Sequence, residues 1–221
     1  MKKLLRSSKA PLLLAVCVVV IVVGVVVVFH LINQSKSYST PPDWDKLKAN
    51  FVERNVEGGE DTYIFKGENI TLTDKEVDIL IDLYAMQGWK ATRAEMVTAL
   101  LQNKALYHYA VSIDLEPTDE DVRNALENHE SSILYFPNSD ADAFYAFLED
   151  IGLSPKAFWD LHYDIVKYQA ATTKLQDDFI DDFTDDYIEF LQWIDGLCEQ
   201  VFEAEGVDIK AIERDIRKSK K

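Results

Sequence analysis

Apolar and polar positions divide the 221-residue chain into two unequal parts. From Pro11 to Ile32 the stretch PLLLAVCVVVIVVGVVVVFHLI contains no Asp, Glu, Lys or Arg. At about 1.5 Å per residue it makes a helix of roughly 33 Å, enough to cross a hydrocarbon core of about 30 Å. This predicts a transmembrane anchor over residues 11–32. A cleaved secretory signal would have an apolar region of about 7 to 15 residues before small residues, whereas this one is longer and ends in His30, Leu31 and Ile32. A lipoprotein signal would use LAVC with Cys17 as the lipidated residue, but Val16 is bulky where a small residue is wanted and apolar sequence continues beyond. Lys2, Lys3, Arg6 and Lys9 lie in residues 1–10. They make that segment a cytoplasmic tail of a single-pass cell-membrane protein and place everything after the anchor outside the cytoplasm.

After the anchor the pattern changes. Residues 33–43, NQSKSYSTPPD, are polar with two prolines and read as an extended linker. Trp44, Leu47 and Phe51 then recur at helical spacing before a break at Gly58 and Gly59, and DTYIFKGENITL predicts a small strand or hairpin around Lys66 and Gly67. Further on, apolar residues recur at intervals of three and four: Val77, Leu80, Ile81, Tyr84; Met96, Leu100, Leu101, Leu106; Phe144, Phe147, Leu148, Ile151; Phe158, Leu161, Ile165. Thr73 with Glu76 and Thr92 with Glu95 are spaced as capping boxes. Thr118 precedes acids suited to a first helical turn, and Ser154 precedes Pro155, a cap followed by proline at the first helical position. The expectation is an all-α domain of about five to seven helices over residues 44–209, long enough for one core. Residues 210–221, KAIERDIRKSKK, read as a frayed basic tail.

Charge narrows the partners. Residues 36–209 hold 13 Lys and Arg against 37 Asp and Glu, a formal −24. Such a surface is repelled by nucleic-acid phosphates and by anionic lipid, so direct nucleic-acid binding is not expected and cationic partners or divalent metals are the natural counterparts. Of the two cysteines, Cys17 lies in the anchor, so Cys198 has no disulfide partner within the outer domain and is expected as a buried thiol.

The most conspicuous chemistry is DDFIDDFTDDY, Asp177 to Tyr187. If Lys174 to Trp193 is one helix, Asp177, Asp181 and Asp185 form one row and Asp178, Asp182 and Asp186 the next. Phe179, Phe183 and Tyr187 form a third row that can face a core. DDFID also matches the Asp-Asp-x-x-Asp pattern by which isoprenoid-diphosphate enzymes hold magnesium. Such a site needs a second ligand set and cations for the diphosphate, and between Asn124 and Ile209 the only cations are Lys156, Lys167 and Lys174. The wet side of a helix is the expectation; like charges four apart are unfavourable, and a loosely bound calcium ion at these six aspartates, or a break in the helix near Thr184, would relieve them. His30, His108, His129 and His162 form no zinc motif, and no nucleophile elbow, phosphate loop or dinucleotide fingerprint occurs. No catalytic residue, no cofactor and no enzymatic activity are expected. Aromatics are numerous, most of them expected in the core. Tyr84, Trp89, Phe144, Phe147, Trp159 and Tyr163 are the candidates for a groove that binds apolar peptide segments.

The order YIFKGENITLTDKEVDILIDLYAMQG, TRAEMVTALLQNKALYHYAVSIDLEPTDEDVRNALEN, LSPKAFWDLHYDIVKYQAATTKLQDDF resembles the N-terminal chaperone domain of the SurA and PrsA foldases. The resemblance covers about Thr62 to Phe179, with Ile209 as its outer bound. Many members of that family carry a parvulin prolyl-isomerase module after the long helix, and here the chain runs on through the aspartate pairs without room for one. The resemblance therefore implies a chaperone-like domain without isomerase activity, with unfolded or secreted polypeptides as clients and the bilayer engaged by the anchor. A dedicated interaction or structural subunit of a membrane complex is the alternative on the same scaffold. Neither pattern nor resemblance specifies an oligomeric state.

Overall fold

The first N–H groups of a helix have no partner inside it, and short oxygen-bearing side chains at the start supply one. The computed structural model, which describes residues 41–56, 62–135, 141–179 and 187–219, begins helix after helix in this way. Asp43 Oδ1 accepts from Lys46 N (3.1 Å) ahead of α1, Trp44–Val56. Thr73 and Glu76 form a reciprocal capping box (Thr73 N to Glu76 Oε2, 2.9 Å) that opens α2, Asp74–Met86. Thr92 and Glu95 do the same for α3, Arg93–Ser112. Thr118 Oγ1 accepts from Asp121 N (3.2 Å) at the start of α4, Asp119–Tyr135. Ser154 Oγ accepts from Ala157 N (3.2 Å) at the start of α6, Pro155–Phe179, which follows α5, Ala141–Asp150. α7 spans Tyr187–Glu205 and α8 spans Ile209–Ser219, capped by Asp208. Helix ends close with equal regularity. Trp89 N bonds to Tyr84 O (2.9 Å) across Gly88, and Leu115 N bonds to Ala110 O (2.8 Å) across Asp114, the one non-glycine among the described residues at positive φ (61°).

The hairpin predicted around Lys66 and Gly67 consists of β1, Tyr63–Lys66, and β2, Thr71–Thr73, paired antiparallel with Phe65 opposite Leu72. Its turn is held from α7. Glu205 accepts from Asn69 N (2.9 Å), Asn69 Nδ2 (2.6 Å) and Ile70 N (3.3 Å). Gly67 leaves room for that carboxylate, since a Cβ there would lie 2.3 Å from Glu205 Oε2.

Apolar side chains gather in two clusters that share α2 and α6. One joins Ile70 and Leu72 of the hairpin to Val77 and Leu80 of α2, Leu100 and Leu101 of α3, Ile165 and Leu175 of α6, and Phe190 of α7. The other joins Leu47 of α1, Leu83 and Met86 of α2, Val122 of α4, Phe144 and Phe147 of α5, and Phe158 and Trp159 of α6. Each such side chain contributes about 1.5–3 kcal/mol by leaving water, and α2 and α6 tie the two halves together. The all-α expectation with one small hairpin describes this architecture.

Two expectations are corrected. Residues from 210 onward are not a frayed tail as far as they are described. They belong to α8, whose Ile209, Ile212 and Ile216 pack on the first cluster at helical spacing. Nor is Lys174 to Trp193 one helix. Phe179 and Trp193 stack with ring centroids 5.2 Å apart, whereas fourteen residues of continuous helix would separate them by about 21 Å. α6 and α7 are separate helices, so rows drawn along a single helix from Lys174 to Trp193 do not apply, and residues 180–186 lie outside the described residues. No helix among the described residues is long and apolar enough to cross a membrane. The anchor predicted over 11–32, the tail 1–10 and residues 33–40 of the linker lie outside the described residues.

Candidate functional site

α1 and α2 lie side by side and leave a groove between them. From α1 it takes Lys46, Leu47, Asn50, Glu53 and Arg54; from α2 it takes Asp78, Ile81, Asp82 and Ala85. Spacings of three and four keep each set on one helix face. At one end the groove is about 260 Å³, bounded by Pro41, Pro42, Gly88 and Trp89. At the other it is about 240 Å³, and the two ends share Asn50, Ile81 and Asp82. The backbone reversal at Gly88 (φ 79°) carries Trp89 back to this mouth, where its ring meets Tyr84 edge-on at 5.9 Å.

The floor is polar and buried. Asp82 is only 4% exposed, with Arg54 Nη2 at 2.5 Å from Oδ2 and Asn50 Nδ2 donating to Oδ1 at 2.9 Å. The Arg54 contact is an ion pair without hydrogen-bond alignment, and Arg54 Nε is buried with no hydrogen-bond partner among the described residues. Behind this pair stand two histidines. His129 bridges Gln87 of α2 (2.7 Å) and Gln169 of α6 (2.8 Å). His162 Nδ1 donates to Phe158 O at 2.7 Å. Burial drives the His162 imidazole down to about 4, with the positive charge of Arg54 acting in the same direction. His129 is lowered by burial as well. Both rings are neutral at neutral pH, inside the domain.

A second, smaller cleft of about 190 Å³ lies beside the hairpin, lined by Asn69, Thr71, Lys104, Tyr107, His108, Val111 and Tyr168. Its Lys104 is buried, but Nζ is already engaged by Thr71 O (2.5 Å), Glu76 Oε1 (2.5 Å) and the Tyr168 ring (4.7 Å). An ammonium has three donors, so this one is spent in fastening β2 and the cap of α2 to α3. At the rim, Lys167 Nζ and Tyr107 Oη both donate to Glu116 at 2.6 Å, and these contacts raise the Lys167 ammonium above its ordinary value.

The aromatic candidates separate into distinct environments. Trp89 lines the groove with Tyr84 against it. Phe144, Phe147 and Trp159 do not face a groove. They are 0%, 3% and 7% exposed and pack around Phe158 in the second cluster, because their spacing on α5 and α6 directs them inward. Tyr163 is half-buried, its hydroxyl donating to Asp119 of α4, away from the groove. Of the six aspartates, Asp177 and Asp178 end α6, with Lys174 3.9 Å from Asp178, while Asp181, Asp182, Asp185 and Asp186 lie outside the described residues. No group of three or more metal-ligating side chains occurs among the described residues. Cys198 is a buried thiol pushed up to about 12 by burial, which leaves it protonated and unreactive.

Asn50, Arg54 and Asp82 were not among the sequence candidates. Their one signal is the acid set inside ILIDLYAM, residues 79–86, where both neighbours of Asp82 are apolar. Comparison with protein-family models, with curated proteins and with solved structures returned no match.

Proposed function

We propose that the protein is a membrane-anchored, extracytoplasmic chaperone-like module that holds unfolded or secreted polypeptide segments in the groove between α1 and α2, without prolyl-isomerase activity. One observation carries the reading: the groove sets an apolar wall of Trp89, Pro41, Pro42, Ile81 and Ala85 beside the half-buried Asn50, with Asp43, Lys46 and Lys90 also lining it. An extended segment has apolar side chains and unpaired amides in alternation; the wall suits the former, and Asn50, Asp43, Lys46 and Lys90 are the lining groups that can meet the latter. The acidic surface, a formal −24 over residues 36–209, keeps an exposed groove soluble and favours basic stretches of a client. The apolar segment 11–32 would supply the anchor, and the sequence from Thr62 to Phe179 resembles the SurA and PrsA chaperone domain. No nucleotide is needed, since binding and release follow from weak contacts alone.

The test is aggregation of a chemically unfolded protein, followed by light scattering, with the full chain in detergent and an equally acidic control protein. Suppression at near-stoichiometric amounts, at least fivefold weaker for Trp89→Ala, is the expected result; a fivefold change corresponds to about 1 kcal/mol of contact. No suppression over a wide concentration range refutes the general chaperone reading and points to one dedicated membrane partner. Equal suppression by wild type and Trp89→Ala refutes the groove.

A further inference from the structure

One surface runs against the charge of the rest of the domain. On α8, Lys210, Arg214, Arg217 and Lys218 occupy an arc of about 100°, opposite Ile209, Ile212 and Ile216, at 100° per residue. The isoleucines are packed on the core, so the helix is seated and its basic face is turned outward. Arg217 and Lys218 are 74% and 68% exposed, and their partners Glu213 (3.4 Å) and Asp215 (3.1 Å) lie on the same helix. Lys220 and Lys221 follow in the sequence. Near Lys210 the face is bordered by Glu199 and Glu203 of α7, whereas Arg217 and Lys218 are paired with acids of α8 itself.

We infer that the basic face of α8 docks on an anionic phospholipid surface and so orients the domain on the membrane that carries it. The inference rests on the anchored reading of residues 11–32. The linker of eleven residues, 33–43, spans at most about 40 Å when extended, which holds the domain within one diameter of the bilayer. At physiological salt the Debye length is about 8 Å, so only charges brought to the interface count. The acidic faces are repelled on approach and α8 is attracted, each basic residue adding a modest increment to a contact that the tether has already made local. The orientation with α8 toward the lipid is the one in which net charge and bilayer are complementary.

The experiment uses the full chain in lipid nanodiscs of phosphatidylcholine alone or of phosphatidylcholine with phosphatidylglycerol. Incorporation is scored first by co-purification with the discs. Acetylation rates of Lys210 and Lys218 are then compared with those of the exposed Lys75 and Lys156. The expected result is that Lys210 and Lys218 react about fivefold more slowly in anionic discs, with the difference lost in high salt and in Arg214→Gln/Arg217→Gln, while Lys75 and Lys156 do not change. Incorporation with equal rates in both lipids overturns the docking and leaves the anchor standing. Protection that appears in neutral discs only as copies per disc increase overturns it in favour of a second copy of the chain. Failure to incorporate overturns the anchored reading and the docking with it.

Discussion

Acidification should loosen the second core cluster before it titrates most carboxylates, and His162 is the reason. Its imidazole stacks on Phe158 at 4.3 Å, lies near Trp159 at 5.9 Å and feels the charge of Arg54 from α1 and His129 from α4. Burial moves its folded value from 6.5 down to about 4. A base whose folded value is depressed binds its proton more readily in the unfolded chain. Stability is therefore full above about pH 6.5, falls as pH drops through the interval, and stops falling below about 4. The gap is worth about 3 kcal/mol in total, of which about 2 kcal/mol is already gone at pH 5. Against a typical total of about 5–15 kcal/mol that is easily measured. His129 adds in the same direction. The assay is urea unfolding of the full chain followed by circular dichroism between pH 7 and pH 4.5, for wild type and His162→Gln. The variant should be less stable at pH 7 through lost packing but should show a clearly shallower decline. Parallel curves for the two proteins would refute the assignment of this pH dependence to His162.

The buried pair beneath the groove makes a separate prediction. Asp82→Ala leaves Arg54 charged and unpaired, and should cost about 3–5 kcal/mol. Arg54→Met/Asp82→Leu removes both charges and should recover most of that loss; a double variant as unstable as the single one would show that the pair is not the source. Asp114→Gly relieves the left-handed backbone that closes α3 and should stabilise by about 0.5–1 kcal/mol in the same urea assay; destabilisation would mean that the aspartate side chain holds that end. Gly67→Ala drives the Glu205 carboxylate from the hairpin turn. Gly67→Ala and Glu205→Ala should therefore each cost about 1–2 kcal/mol and combine to little more than either alone; full additivity would contradict the clamp.

Local chemistry was legible in the sequence because its rules act over four residues. The caps at Thr73, Thr92, Thr118 and Ser154 are all made as their spacing suggests. Decisions that depend on which face meets which neighbour were less visible. In the first half of α6 the buried set is Phe158, Trp159, His162, Ile165 and Val166. Leu161, which fits the same three-and-four spacing as Phe158 and Ile165, lies off that arc and is 54% exposed. Phe144, Phe147 and Trp159 failed as groove residues for a related reason: abundance of aromatics says nothing about which side of a helix is covered. α8 was hidden by its charge, which masks three isoleucines at helical spacing. That α6 and α7 are separate helices matches the alternative of a break near Thr184, which three aromatics four residues apart outweigh in the sequence because an unbroken helix would also satisfy them. Trp89 alone of the six candidates lines the groove, and its partners Asn50 and Asp82 carry the polarity that periodicity assigns to the surface.

The most direct test of the polypeptide-binding groove is photo-crosslinking from its wall. A benzophenone-bearing residue placed at Trp89, and in a second protein at Tyr145, which is 46% exposed on α5, is irradiated with one test protein in folded and in chemically unfolded form. The groove reading predicts adducts from position 89 with the unfolded form, few with the folded form, and few from position 145 with either. Equal yields from both positions, or adducts that do not distinguish folded from unfolded protein, would contradict it.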